Sequence, residues 1–290
     1  GKGVGGRMAS KTIFVDNKEF RYDYGAQFFT VRSKEFGDQV SEWEMKKLVK
    51  VWCNGFENND GHNRYMSTNG MRDLLGNISS GLKIQQNQKV AKIEYFDDYW
   101  RLGTSRANFE SELLVITTPL PQCVELLKTI PTFDHHDSLD EIKKIEYKKC
   151  IALIMTMGSE SNFDSPGAYQ MMDEDWDFVS DNKIKGISPN TCVTAHASYA
   201  LSEHLWNYDE AKIKDQLVDK IKNRFNIKPE HLILHKWLYA QSKKDLEGYF
   251  KKMSSYNSSL FIAGEVFGGS KIEGAYLSGY HLAKYMNKQY

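Results

Sequence analysis

The chain is poor in the residues that staple or kink a protein. Among its 290 residues are only 4 cysteines and 6 prolines. Cys53, Cys123, Cys150 and Cys192 lie far apart with no Cys-x-x-Cys pair, which excludes a zinc knuckle and the disulfide framework of a small secreted domain and points to a reducing compartment. Net charge is lacking too. The 38 Lys and Arg stand against 38 Asp and Glu, so no basic face is expected for a nucleic-acid backbone or an anionic membrane. Apolar runs such as Leu113 to Ile116 fall far short of the roughly 20 residues of a membrane span. No apolar signal-peptide segment follows the opening residues, and a soluble, cytoplasmic protein without nucleic-acid or membrane partners is expected. What the chain does have is 41% hydrophobic and 13% aromatic residues, enough for a full core and, at about 100–200 residues per domain, for two domains.

The hydrophobic period changes repeatedly along the chain. Extended runs are expected at Thr12–Val15, Tyr22–Thr30, Leu82–Gln86, Lys89–Tyr95, Tyr99–Thr104 and Leu113–Thr117, and again at Tyr147–Met157, Thr191–Ser198, His231–Ala240 and Leu260–Gly264. Helical spacing covers Glu35–Val49, a short stretch capped by Asn69, a segment opened by Thr118 and Pro119 and running to about Lys128, Asp209–Phe225 and Ile272–Met286. The whole reads as mixed α and β.

Two glycine-rich turns carry a chemical meaning beyond folding. After the apolar strand Leu260–Gly264 come Gly268, Gly269 and a helix, a geometry that lets backbone approach a ligand and points free N–H groups at an anion such as phosphate. On glycine pattern alone, an ordinary strand-to-helix connection is the commoner explanation. Glu265 and Glu273 flank this turn, either as solvated carboxylates or as acceptors for a cofactor's ribityl or ring N–H groups. At the other end of the chain, Gly3, Gly5 and Gly6 precede Arg7, whose guanidinium can pair with phosphate bidentately. No strand stands before this loop, which a dinucleotide fingerprint requires, so by itself it reads as a turn. His231 and His235 sit in an extended run without the Glu of a zinc-protease helix, and no Gly-x-Ser-x-Gly elbow exists, so neither metal nor serine-triad chemistry is expected.

Taken in order, several segments resemble one family, the renalase-like flavoproteins of the amine-oxidase group of FAD-dependent oxidoreductases. Gly3-Val4-Gly5-Gly6-Arg7-Met8-Ala9 resembles its Gly-Gly-Arg loop, Asp23-Tyr24-Gly25-Ala26-Gln27-Phe28-Phe29-Thr30 its next hallmark, and His235-Lys236-Trp237-Leu238-Tyr239-Ala240 its tryptophan strand. Ala263-Gly264-Glu265 and Ile272 through Gly279 resemble its closing FAD motif. The resemblance spans essentially the whole chain.

It implies an α/β plus α+β fold: an FAD/NAD(P)-binding Rossmann-like domain, incomplete at its N-terminus, with an antiparallel-sheet substrate domain. The FAD-binding domain would comprise 1–15, 66–118 and 258–290, and the substrate domain 16–65 and 119–257. The family's first strand, Gly-x-Gly-x-x-Gly turn, helix and second strand would precede Gly1, so a separate N-terminal fragment is an expected partner. FAD would be held non-covalently, since no Cys follows Cys192 to form a cysteinyl link. By position, Gly5, Gly6 and Arg7 would lie along the diphosphate and ribityl chain, and Val90 against the adenosine half. Thr118 would end a strand near the cofactor, Gly264 and Glu265 would meet ribityl and diphosphate, and Glu273, Gly274 and Ala275 the flavin ring. Gln27, with Gly25, Ala26 and Phe28, would face the flavin from the substrate side. With Gly274 against the ring, a bulky replacement there is expected to abolish FAD binding and spare apo stability. Glu265 stands where the family usually has Asp, and Leu238 where it often has Arg. The implied reaction is hydride transfer to FAD from a dihydronicotinamide dinucleotide or an amine-like small-molecule donor, with O2 as acceptor. No catalytic residue is singled out. A true amine or polyamine oxidase, and a chain that keeps the fold without binding FAD alone, are the alternatives.

Overall fold

The computed structural model describes every residue except 2, 57–59, 97, 131–138, 171–172, 254–258, 270 and 290, so the boundary expected at 258 lies outside the described residues. After the N-terminal glycine loop, β1 (Ser10–Val15) and β2 (Lys18–Asp23) form an antiparallel hairpin. Its turn residues Asp16 and Asn17 both take left-handed backbone, φ 48° and 62°, which suits the twist of a two-residue hairpin. Helix α1 (Lys34–Met45) is capped by Ser33, whose Oγ accepts from Phe36 N, and it buries Phe36, Val40 and Trp43 on one face. It stops before Val49, which opens β3 (Val49–Cys53) rather than closing the helix; β3 pairs with β4 (Arg64–Ser67). Helix α2 (Met71–Ile78) follows, with Gly70 at the cap position in place of the expected Asn69.

Leu82–Gln86 forms no strand, and Leu82 is largely exposed; the run has apolar spacing but no neighbouring strand to pair with. Next come a meander of β5 (Val90–Phe96), β6 (Tyr99–Thr104) and β7 (Asn108–Ser111), then the short strand β8 (Leu114–Ile116). Helix α3 (Leu120–Leu127) is capped by Pro119 without a side-chain bond, so Thr118 is not the cap that its position suggested.

Past the short α4 (Asp140–Lys143), β9 (Tyr147–Met157) runs over 11 residues. It is followed by β10 (Ala168–Tyr169), β11 (Trp176–Asp181), β12 (Cys192–Ala197), α5 (Tyr199–Leu205), α6 (Glu210–Phe225) and β13 (Pro229–Ser242). These strands form an antiparallel sheet in the order β10-β11-β12-β9-β13. On its face toward α5 and α6, Ile151, Leu153, Val179 and Val193 share a core with Leu205 of α5 and Ile213 and Leu217 of α6. The chain closes with β14 (Phe250–Met253), β15 (Leu260–Ala263) and α7 (Ile272–Gln289).

β15 lies parallel to β8, with Leu260, Phe261 and Ile262 opposite Leu114, Val115 and Ile116, and β14 runs antiparallel on its other side. All four residues of β15 are buried, the pattern of a strand covered on both faces. Around this parallel pair the largest core gathers Ile93, Trp100, Ile116, Leu120, Leu127, Ile142 and Ile262. The architecture is therefore mixed α/β with antiparallel sheets, as the sequence led us to expect. Among the described residues no helix is long and apolar enough to cross a membrane.

Candidate cofactor-binding site

Because β8 and β15 are parallel neighbours, their carboxyl ends deliver Thr118 and Gly264 to the same edge of the sheet, the position where open α/β sheets place ligands. A Cβ built on Gly264 would lie 3.8 Å from Thr117 O. Gly264 N donates to Ser278 Oγ at 2.9 Å, tying the end of β15 to α7.

The N-terminal loop reaches this edge through Arg7. Its guanidinium pairs with Glu265 bidentately, Nη1 to Oε1 at 2.8 Å and Nη2 to Oε2 at 2.6 Å, and Nη1 also donates to Tyr239 O at 3.2 Å. The extra methylene of Glu265 over an Asp extends its carboxylate to that guanidinium. Beside it, the Tyr147 hydroxyl accepts from Leu120 N at 3.1 Å. Burial, reinforced by the Glu265 charge and opposed by the Leu120 N–H and by Arg7, pushes Tyr147 up to about 12.

The Asp23–Phe28 segment is bound to the same loop. Ala26 N donates to Arg7 O at 2.9 Å, and a Cβ on Gly25 would stand 1.9 Å from Arg7 O, so only glycine permits this crossing. Gln27 does not have a free side chain. Its Nε2 donates to Asp23 O at 2.8 Å, and its Oε1 accepts from Ser180 Oγ at 3.0 Å and Lys185 Nζ at 3.3 Å. Lys185 and Asp23 form a fully buried ion pair at 2.7 Å, and Asp23 Oδ1 accepts from Met71 N at 2.8 Å. Burial pushes Lys185 down, against the pull of Asp23. Tyr24 stacks on Trp237 with centroids 5.5 Å apart, and its carbonyl accepts from Trp237 Nε1 at 2.8 Å and contacts His196 Nε2 at 3.3 Å.

The remaining expected residues are placed differently. The Glu273 carboxylate accepts from Arg32 N, Ser33 N and Ser33 Oγ, so it serves the start of α1 and leaves only backbone to offer a cofactor. A Cβ on Gly274 would stand 1.6 Å from Gly269 O; the chain's own turn fills that space, and apo stability cannot be indifferent to residue 274. Ala275 is exposed and donates its N–H to Lys271 O at 3.0 Å. Val90 starts β5 opposite Thr104, and the turn before it reaches the N-terminal loop through Asn87 N to Gly1 O at 2.9 Å. Arg7 and Glu265 are thus joined directly, and Gly264 and Thr118 follow the ends of the neighbouring parallel strands β15 and β8, while among the described residues no hydrogen bond joins the side chain of Val90, Glu273 or Ala275 to them.

Two observations fit an anionic cofactor at this edge. Thr118 Oγ1 is buried without a hydrogen-bond partner among the described residues, a state that native proteins rarely leave unanswered. Gly6 and Gly269 have nothing within 4 Å of an added Cβ, whereas Gly5 and Gly268 face Met8 O at 2.6 Å and Tyr249 Cδ1 at 3.1 Å, so each glycine turn has one position open to a ligand. Sequence reasoning missed Lys185, Tyr147 and Arg72, a guanidinium on α2 lying along the N-terminal loop; none sits in a motif that would have marked it.

Residues 23–287 match the profile of the flavin containing amine oxidoreductases. The chain belongs to that family. It is 20% identical to mouse renalase over 306 residues, covering 99% of this chain and 89% of that protein. Among solved structures it resembles the cyclohexylamine oxidase of Brevibacterium oxydans, with a TM-score of 0.58 and 10% identity over 80% of this chain and 55% of that one. A protein assigned as a protoporphyrinogen oxidase, from an Exiguobacterium species, gives a TM-score of 0.59 at 12% identity, over 81% and 54% of the two chains. The chain therefore spans about half the length of these solved structures, and at such identity the likeness is one of fold. The flavin containing amine oxidoreductases are flavin-dependent oxidoreductases, and membership implies a flavin cofactor.

Proposed function

We propose that this member of the family binds FAD without a covalent link and oxidises a small donor, a dihydronicotinamide dinucleotide isomer or an amine-like molecule, with O2 as the final acceptor. The observation that carries this reading is the unpartnered Thr118 hydroxyl at the shared carboxyl end of β8 and β15, the strand whose following turn has at Gly269 no atom within 4 Å of an added Cβ. Gly5, Gly6 and Arg7 would lie along the diphosphate and ribityl chain, Thr118, Gly264 and Glu265 beside them, and Val90 at the adenosine half. Glu273, Gly274 and Ala275 would present backbone to the ring, with Gln27 behind the turn on the donor side. In this reading residues 1–15, 66–118 and 258–290 form the cofactor-binding part, and 16–65 and 119–257 the donor-binding part. FAD held there would supply two-electron redox chemistry: a hydride taken from the donor, then two electrons, that hydrogen as a proton and one solvent proton passed to O2 to give H2O2.

The chain's own contribution is orientation and exclusion of water. The Asp23–Lys185 pair and the Gln27 amide hold the Gly25–Phe28 turn rigid. Phe28 packs with Phe56 and Phe178 at centroid distances of 5.1 and 5.7 Å, an apolar wall against solvent. The test is reconstitution with FAD followed by anaerobic mixing with α-NADH, β-NADH isomers and a panel of amines. Flavin bleaching by a dihydronicotinamide supports the proposal as stated. Bleaching by amines alone would favour an amine oxidase, and the absence of a flavin spectrum after reconstitution would refute FAD binding.

A further inference from the structure

Two guanidiniums flank the N-terminal glycine loop, and they differ in their partners. Arg7 is paired with the Glu265 carboxylate bidentately and is further committed to the Tyr239 carbonyl. Arg72, from the first turn of α2, lies along the same loop: a Cβ on Gly3 would stand 3.7 Å from its Nη1, and one on Gly5 3.4 Å from its Cγ. Its Nη2 donates to Tyr24 Oη at 3.2 Å, its Nε is buried without a partner, and no carboxylate pairs with it among the described residues. The backbone N–H groups that open α2 are already taken by Asp23 and Ser10, so the free cationic group here is the side chain itself.

We propose that Arg72, rather than Arg7, supplies the positive charge that binds the diphosphate of a dinucleotide at this loop, and that Arg7 is a positioning residue clasped by Glu265. The inference rests on the FAD reading above. A cation already satisfied by a carboxylate gains little from a second anion, whereas an unpaired guanidinium bordered by glycine can form short charge-assisted bonds to phosphate oxygens. Each such bond is a discriminating contact, and its loss is expected to weaken binding about 10-fold or more.

The experiment titrates ADP by calorimetry and FAD by flavin fluorescence into the wild type, Arg72→Gln and Arg72→Lys, at low and at high salt, with thermal unfolding as the control for folding. Arg72→Gln should bind both nucleotides about 10-fold or more weakly and lose most of the salt dependence, while Arg72→Lys, which keeps the charge, recovers part of both. A loop merely distorted by the substitution would weaken binding yet keep the wild-type salt dependence, and that result overturns the proposal. FAD binding indifferent to Arg72 removes this inference and leaves the flavin reading standing. ADP binding that depends on Arg72, without any FAD binding, keeps the anion site and removes the flavin reading. Binding of neither nucleotide by the wild type removes both.

Discussion

Gly274 and Gly279 lie on the same helix, yet replacing each with alanine should move stability in opposite directions. At Gly279 nothing lies within 4 Å of an added Cβ, so Gly279→Ala gains the helix propensity of alanine, about 0.5–1 kcal/mol. At Gly274 the same gain meets Gly269 O at 1.6 Å and Gly269 C at 2.5 Å, both backbone atoms that cannot rotate away. The turn would have to retreat, and Gly269 O is also the acceptor for Lys271 N at 2.8 Å, a bond worth about 1 kcal/mol that the retreat would strain. Overpacking costs about 1–3 kcal/mol, so the clash outweighs the propensity and Gly274→Ala should be destabilised by about that amount. At about 2–4 °C per kcal/mol for a chain of this size, thermal unfolding followed by circular dichroism should show a loss of roughly 2–12 °C at 274 and a gain of a few degrees at 279. No cofactor is needed for either measurement. A Gly274→Ala protein melting at or above the wild type would refute the close approach.

Thr118→Val removes the unpartnered buried hydroxyl at constant shape, so urea unfolding of the apo protein should show a stability unchanged or raised by about 1 kcal/mol, while FAD affinity falls. Lower apo stability would show that the hydroxyl already has a partner. His196 is pushed down to about 4, first by burial and then by the nearby Lys185 charge, against the pull of the Tyr24 carbonyl. Its folded pKa lies below the ordinary value near 6.5, so its contribution is intact above about pH 6.5 and is lost as pH falls toward 4, by up to about 3 kcal/mol and less where solvent reaches the ring. Unfolding midpoints of the wild type and His196→Gln should converge as pH falls from 7.5 to 4.5, and parallel curves would count against a neutral, buried ring.

The sequence displays its long elements well and its short ones poorly. Tyr147–Met157 is legible because seven consecutive residues from Ile151 on are buried in an interior strand of an antiparallel sheet, and Glu210–Phe225 because Ile213, Leu217 and Ile221 recur at helical spacing behind the Asp209 cap. β3 was hidden because Val49 also satisfies the period of the preceding helix, whose stop is a single left-handed residue, Lys47 at φ 57°. β14, with Lys251 and Lys252 between Phe250 and Met253, shows no apolar alternation of its own and pairs along the edge that β15 offers it. Local pattern fixes an element only where the chain itself supplies the period.

At the site the same limit applies to charge. A guanidinium after glycines reads as a phosphate ligand, yet what Arg7 can bind depends on Glu265, 258 residues away, and on one methylene more than an aspartate would have. Likewise, a carboxylate before Gly274 reads as a ring contact until its acceptors are found to be filled by Arg32 and Ser33. Removing one member of a buried ion pair typically costs about 3–5 kcal/mol; the fully buried Lys185–Asp23 contact is therefore a strong constraint on the turn that carries Gly25 and Gln27. That constraint joins β2, α2 and the hairpin between β11 and β12, so the Gly25–Phe28 turn is tied to the antiparallel sheet, as the glycine loop is tied through Arg7 to Glu265 beyond β15. The two segments also meet directly, Ala26 N donating to Arg7 O at 2.9 Å, so a cofactor at this edge would meet a single surface set in advance by both.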